Sequence, residues 1–267
     1  MPFTISHAAA VLPFSRLLAR WQLLSAVVIG SMVPDFGLFF PWRLQRVETH
    51  SAPALFAFCL PVGMATYWVF QYLVKAPVLE VLPDGAYARW RPFSSPADIA
   101  SIRQWILVAF GVVAGAVTHL MWDAFTHENA RGVRLIPWLE EPIDIGAHHI
   151  RAIRLMQDGS SLIGLAVVLG LIAYGLRPGG DQSVRPRPLG AAERRAWVAA
   201  YAAAAVGLSA ACFLWAPVGA HPTMFIANRM AVAALRGLAL ALVCTSLAVD
   251  WRLRALSVSS ASARRAR

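Results

Sequence analysis

Apolar residues run nearly unbroken for about 20 positions, the length a helix needs to cross a bilayer, near 52–74, 102–123, 159–176, 196–217 and 226–249. Ahead of them, 21–40 is apolar but broken by Pro34 and Asp35, and 5–19 has a helical composition yet is too short to span alone. The pattern predicts an all-α fold: a multi-pass helical membrane bundle with five spans and two shorter N-terminal helices. Between the apolar runs, 75–101 (Pro77, Pro83, Gly85, Pro92, Pro96) reads as a turn-rich loop with room for one short helix. The stretch 177–195 (Pro178, Gly179, Gly180, Pro186, Pro188, Gly190) reads as a flexible linker. The expected organisation is a membrane-embedded domain with the candidate metal site over 1–176, a basic cytoplasmic linker over 177–195, a C-terminal transmembrane helix pair over 196–250 and a basic cytoplasmic tail over 251–267. No internal repeat is visible.

Composition strengthens this reading. The 267 residues are 58% hydrophobic and 14% charged, with a mean hydropathy of +0.57, whereas soluble domains carry roughly 25% charged residues. The net charge of +10 does not point to nucleic acid, because the basic residues lie between apolar runs and form no basic face on a soluble module. They read as a topology signal. Arg177, Arg185, Arg187, Arg194 and Arg195 in the linker and Arg252, Arg254, Arg264, Arg265 and Arg267 in the tail mark the cytoplasmic side, and Lys75, Arg89, Arg91 and Arg103 join them. The segments 41–51 and 124–158 then face outward. The start of the chain lacks a charged n-region and a cleavage signal, so the N-terminus is expected to be retained. A hairpin of 5–19 and 21–34, with Arg16 and Arg20 at the inner turn, brings His7 to the outer side. Cys59, Cys212 and Cys244 share no ligand spacing and read as small core residues.

The candidate chemistry stands at the end of the second run. His119, Asp123 and His127 are spaced four apart, on one face of a helix. Ionisable groups beside a span are costly and mark function by default. All His residues but His221 precede residue 150, and the expected topology places His7, Asp35, His50, His119, Asp123, His127, His148 and His149 on one side of the membrane. Imidazole and carboxylate together suit zinc or a similar divalent ion, and a shared carboxylate can bridge two ions and help activate a water. Plainer readings exist for each. His119 and Asp123 can be a polar pair joining helices, Asp35 a helix cap, His50 a loop residue, and His127, His148 and His149 solvated histidines. Gly111 and Gly115, at small-xxx-small spacing, are expected to let the His119 helix approach a neighbour closely.

These residues also carry a resemblance. The runs Met1 to His7, Ile29 to Asp35, Thr49-His50-Ser51, Gly115 to His127 and Gln157 to Ser161 resemble an uncharacterised bacterial family of multi-pass membrane proteins, defined only as a domain of unknown function. That family is similar to predicted membrane-bound metal-dependent hydrolases of bacterial inner membranes and, distantly, to the zinc-dependent phospholipase C and single-strand nuclease superfamily. The resemblance covers about residues 1–176. It implies that Asp35, His50, His119 and Asp123 hold one ion and that His7 with Asp123 contributes to another. His127, His148 and His149 stand second, since the third-ion pattern departs here: Ala152 and Ile153 occupy the positions where a ligand is expected.

The function expected from the sequence is hydrolysis of an ester or phosphoester at the outer face of the membrane by a divalent metal, zinc foremost. The substrate is a membrane lipid or a small molecule, and nucleic acid is not a partner. Arg131, Arg134, Arg151 and Arg154 are candidates to hold an anionic head group. The competing expectation is a non-enzymatic ion-handling or structural membrane protein. Sequence leaves the oligomeric state open.

Overall fold

The computed structural model describes residues 4–40, 44–94, 101–128, 130–146, 148–177, 187–215 and 223–265. Its helices are α1 (Ser15–Arg20), α2 (Leu24–Met32), α3 (Arg46–Thr49), α4 (Leu60–Val69), α5 (Lys75–Val81), α6 (Asp84–Trp90), α7 (Ile102–Thr126), α8 (Arg131–Leu135), α9 (Ala152–Leu176), α10 (Ala191–Trp215) and α11 (Thr223–Arg265). Five helices are long and apolar enough to cross a membrane: Leu55–Val81, Ile102–Thr126, Ala152–Leu176, Ala191–Trp215 and Arg229–Ser259. The chain is a multi-pass helical membrane protein. Among the described residues, strand is limited to a hairpin of β1 (Pro142–Ile145) and β2 (His148–Arg151), with Ile143 opposite Ile150 and Asp144 opposite His149. Its turn begins at Gly146, whose φ of 62° is left-handed backbone that glycine adopts without strain.

Several boundaries moved for identifiable reasons. The first span continues past Lys75 and Pro77 to Val81, because the helix widens into π turns at Leu55–Cys59 and Phe70–Val74. Each π turn lies just before a proline, Pro61 or Pro77. A proline lacks an N–H and its ring crowds the carbonyl four residues back, and a wider turn relieves that clash without ending the helix. Over Thr4–Ala10 and Val33–Phe39 the N-terminal segments are 3-10 helix. α10 begins at Ala191 inside the expected linker, and α11 runs unbroken through the expected tail to Arg265.

The described structure forms two compact units. One comprises Met1–Tyr67 and Ala97–Tyr174, the other Trp68–Pro96 and Gly175–Arg267. In the first, α2 crosses α7 with almost no side chain between them. A Cβ added to Gly115 would lie 2.2 Å from the Val27 carbonyl oxygen, and one added to Gly30 would lie 2.2 Å from that of Val112. The two glycines let the backbones interlock. The excursion between α7 and α9 packs Val133, Leu139 and Ile153 into a small core of its own.

In the second unit, α10 and α11 cross where a Cβ on Gly237 would lie 2.2 Å from Ser209 Oγ. Arg187 is buried there. It donates to the carbonyls of Leu82 (2.8 Å), Leu79 (3.2 Å) and Glu80, and lies 4.1 Å above the Tyr87 ring. It thus satisfies carbonyls that the end of α5 leaves open and offsets the negative end of the helix dipole.

Candidate metal centre

Three short elements of the first unit aim side chains at the end of α7. The N-terminal 3-10 turn carries His7, the 3-10 turn after α2 carries Asp35, and α3 delivers His50 at its C-cap. α3 is a single turn held by a capping box: the Gln45 side chain accepts from the backbone of Glu48, whose carboxylate accepts from the Gln45 N–H at 2.5 Å. α7 contributes His119 and Asp123, both buried. The α2–α7 crossing at Gly30 and Gly115 sets the separation between the Asp35 and His119 sides.

The spacings fall in a narrow range. Asp35 Oδ1 lies 3.3 Å from His50 Nε2 and 3.8 Å from His119 Nε2, and Asp123 Oδ2 lies 3.6 Å from His50 Nε2 and 3.5 Å from His119 Nε2. Metal–ligand bonds near 2.0–2.1 Å in a tetrahedron put neighbouring ligand atoms about 3.3–3.5 Å apart. These four distances lie within about half an ångström of that figure, and the groups whose ligand atoms are all close enough to share one ion are Asp35–His50–His119 and His7–His119–Asp123. The other oxygen of Asp123 faces elsewhere: Oδ1 is 3.8 Å from His7 Nε2 and 3.4 Å from His127 Nδ1. The His7 and His119 rings stack with centroids 3.7 Å apart.

The hydrogen bonds fix which ring nitrogen faces the cluster. His119 Nδ1 lies 2.8 Å from the Ser31 carbonyl and His50 Nδ1 lies 2.7 Å from Thr49 Oγ1. The Ser31 carbonyl is free to accept because Pro34, three residues on, has no N–H to close a 3-10 turn onto it. With Nδ1 protonated toward Ser31, Nε2 of His119 keeps its lone pair for the cluster, the arrangement that orients metal-bound imidazoles. Nε2 of His7, His50 and His119 and Oδ1 of Asp123 are buried and make no hydrogen bond among the described residues. A His119–Asp123 pair serving only to join helices accounts for the His119 Nε2 contact at 3.5 Å and leaves Nε2 of His7 and His50 unexplained. Thr4 Oγ1 donates to Asp35 Oδ2 at 2.9 Å, leaving Oδ1 toward the imidazoles. Burial, reinforced by the neighbouring His119, pushes His7 down to about 4, so the ring is a neutral donor at neutral pH.

Three expectations need correction. α7 ends at Thr126, and His127 has extended backbone (φ −117°, ψ 137°), so it leaves the helical stripe; its side chain still reaches Asp123 from a half-buried position. His149 is exposed on the hairpin and paired with Asp144 at 2.5 Å, and among the described residues it joins neither group that could share an ion. The side chain of His148 and the whole of His221 lie outside the described residues. Of the four loop arginines, Arg151 pairs with Glu128 and Arg154 with Asp158, while Arg131 and Arg134 are exposed. The cation at the cluster is one that sequence reasoning missed. Arg46, half exposed, pairs with Asp123 Oδ2. Its only sequence signal is its place one helical turn before His50.

The chain matches, over residues 1–247, the family described as a domain of unknown function (DUF4184). It belongs to that family. The match runs well beyond residue 176, so the family includes the C-terminal helix pair that the motif resemblance leaves out. Curated proteins and solved structures give no match.

Proposed function

We propose that this DUF4184 protein is a membrane-embedded, metal-dependent hydrolase of an ester or phosphoester, with its cluster on the outer side of a bacterial inner membrane and its C-terminus in the cytoplasm. The observation that carries the reading is the pair of groups Asp35–His50–His119 and His7–His119–Asp123, each close enough to share one ion, whose Nε2 atoms are buried with no hydrogen bond among the described residues. Asp35 and Asp123 are two buried carboxylates at the cluster, and a divalent cation would offset their charge together with Arg46. Nitrogen and oxygen donors in this number favour zinc.

When bound, such an ion polarises an ester or phosphoryl oxygen and brings a water's pKa toward neutrality. The chain's own groups do the rest. Ser31 and Thr49 hold the two imidazoles in register, and Thr4 holds Asp35. Arg46, at the rim, can leave Asp123 for an anionic substrate oxygen and bind it with paired N–H groups. His7 and His127, both toward Oδ1 of Asp123, would hold a second ion if the site takes two.

The test is turnover of a chromogenic phosphodiester and a chromogenic carboxylic ester by purified protein, before and after chelation and zinc return. Hydrolysis that is lost on chelation, restored by zinc and absent in Asp35→Ala and His119→Ala supports the proposal. Metal-replete protein that turns over neither substrate favours ion handling instead.

A further inference from the structure

Beside the cluster, the first unit holds a cavity of about 240 Å³, whose lining includes Ser6, His7, Ala10, Trp122, Ile163 and Gly164. Its chemistry is one-sided. Every hydroxyl on its walls already donates inside the protein: Ser6 to the Ser161 carbonyl (2.7 Å), Ser161 to the Gln157 carbonyl (2.6 Å) and Ser160 to the same carbonyl (3.2 Å). The Trp122 indole N–H is taken up by Ser160 at 3.3 Å. With those donors engaged, the walls present carbon, and an apolar occupant loses nothing by lacking hydrogen-bonding groups. The exception is His7, which also lines the cavity and whose Nε2 is buried with no hydrogen bond among the described residues.

The mouth lies on apolar surface. Ile163 is 68% exposed on the spanning helix α9, next to Leu162 at 62%, and Met121 beside Trp122 on α7 is 61% exposed. Ser160 to Gly164 sit eight to twelve residues into α9, about 12–18 Å along its axis from Ala152. The opening therefore meets the lipid-facing flank of two spans.

We infer that this groove is the acyl-chain subsite for a membrane lipid, which enters sideways from the bilayer and brings its ester or phosphoester linkage to the cluster at His7. The inference rests on the hydrolase reading for the fate of the lipid. The groove itself makes a separate claim, that it binds a chain. An amphiphile fits both halves of the geometry: an apolar channel on the Oδ1 side of Asp123, through His7, and the Arg46 cation on the Oδ2 side for an anionic head group.

The test uses full-length protein in phosphatidylglycerol nanodiscs doped with a phosphatidylglycerol analogue bearing a diazirine at mid-chain, with adducts mapped by mass spectrometry. The expected result is labelling of the segments around Ala10 and Ile163 that unlabelled lipid saturates, whereas labelling near Val206, exposed on α10, rises linearly with probe. Ala10→Trp and Ile163→Trp, both at exposed positions, should each cut groove labelling several-fold at an unchanged melting temperature. In the same variants, kcat/KM should fall more for a long-chain lipid substrate than for a short-chain one. Labelling that does not saturate and survives both substitutions would overturn the inference, as would cross-links to a second copy of the chain in place of lipid. Saturable groove labelling in a protein with no turnover would leave the lipid site standing and remove the hydrolase reading.

Discussion

Gly115→Ala places one methyl group at the point where fold and site are joined. The added Cβ would lie 2.2 Å from the Val27 carbonyl oxygen and 2.7 Å from the Ser31 amide nitrogen, where ordinary contact begins at 3.4 Å. Both obstacles are backbone, so no side chain can swing aside, and α2 must retreat from α7 by roughly 1 Å, against the ±0.2 Å that metal–ligand distances tolerate. The retreat moves the Ser31 carbonyl and Asp35 away from His119, which lies one turn beyond Gly115. Overpacking costs about 1–3 kcal/mol, and the helical preference of alanine over glycine returns at most about 1 kcal/mol. The steric loss wins. Gly207→Ala is the matched control, since a Cβ there meets nothing within 4 Å. Thermal melts in detergent and metal analysis should show Gly115→Ala melting lower than both wild type and Gly207→Ala, and retaining little metal. A Gly115→Ala protein with wild-type stability and full metal content would refute the interlocked crossing as the element that sets the site.

Other consequences are independent of that crossing. Arg187→Ala removes a buried cation from the open carbonyls at the end of α5 and should lower stability by about 3 kcal/mol in denaturant titrations, with Arg187→Lys recovering only part. His149→Ala should leave metal retention unchanged in a chelator competition, whereas His127→Ala, beside Asp123 Oδ1, should weaken it about 10-fold. In chelator-treated protein, His7 stays neutral in the fold down to about 4, while the unfolded chain binds a proton near 6.5. The unfolded state therefore holds the extra proton between those values, so stability contributed by this site is full above pH 6.5 and falls as pH drops toward 4, by on the order of 3 kcal/mol at the low end. His7→Gln should flatten that slope in melts recorded against pH.

The spans were legible because twenty apolar positions in a row have one inexpensive solution, a helix in lipid. Five cluster residues were legible for the complementary reason: His7, Asp35, His50, His119 and Asp123 are polar groups whose burial needs a purpose. Less visible were features set by backbone detail. The four-residue spacing says that His127 shares a face with Asp123, but not that α7 stops at Thr126. Pro77 looks like the end of a span unless the π turn before it is foreseen. Arg46 looks like one more loop cation until α3 folds it back onto Asp123. The Ser31 carbonyl leaves no mark in side-chain chemistry, although Pro34 three residues later is the clue that it lacks a local donor. The groove beside His7 is formed by residues of ordinary character, Ala9, Ala10 and Gly164, and only their meeting makes a site.

The central claim is that buried His and Asp side chains from four separate segments form one metal centre. Elemental analysis of protein purified without added metal, across wild type, Asp35→Ala, His50→Ala, His119→Ala and Asp123→Ala, tests it most directly. The account predicts at least one equivalent of zinc or a related divalent ion in the wild type, lost in each of the four variants while the fold, read by circular dichroism, persists. Wild-type protein that carries no such metal and takes up none when zinc is supplied would contradict it.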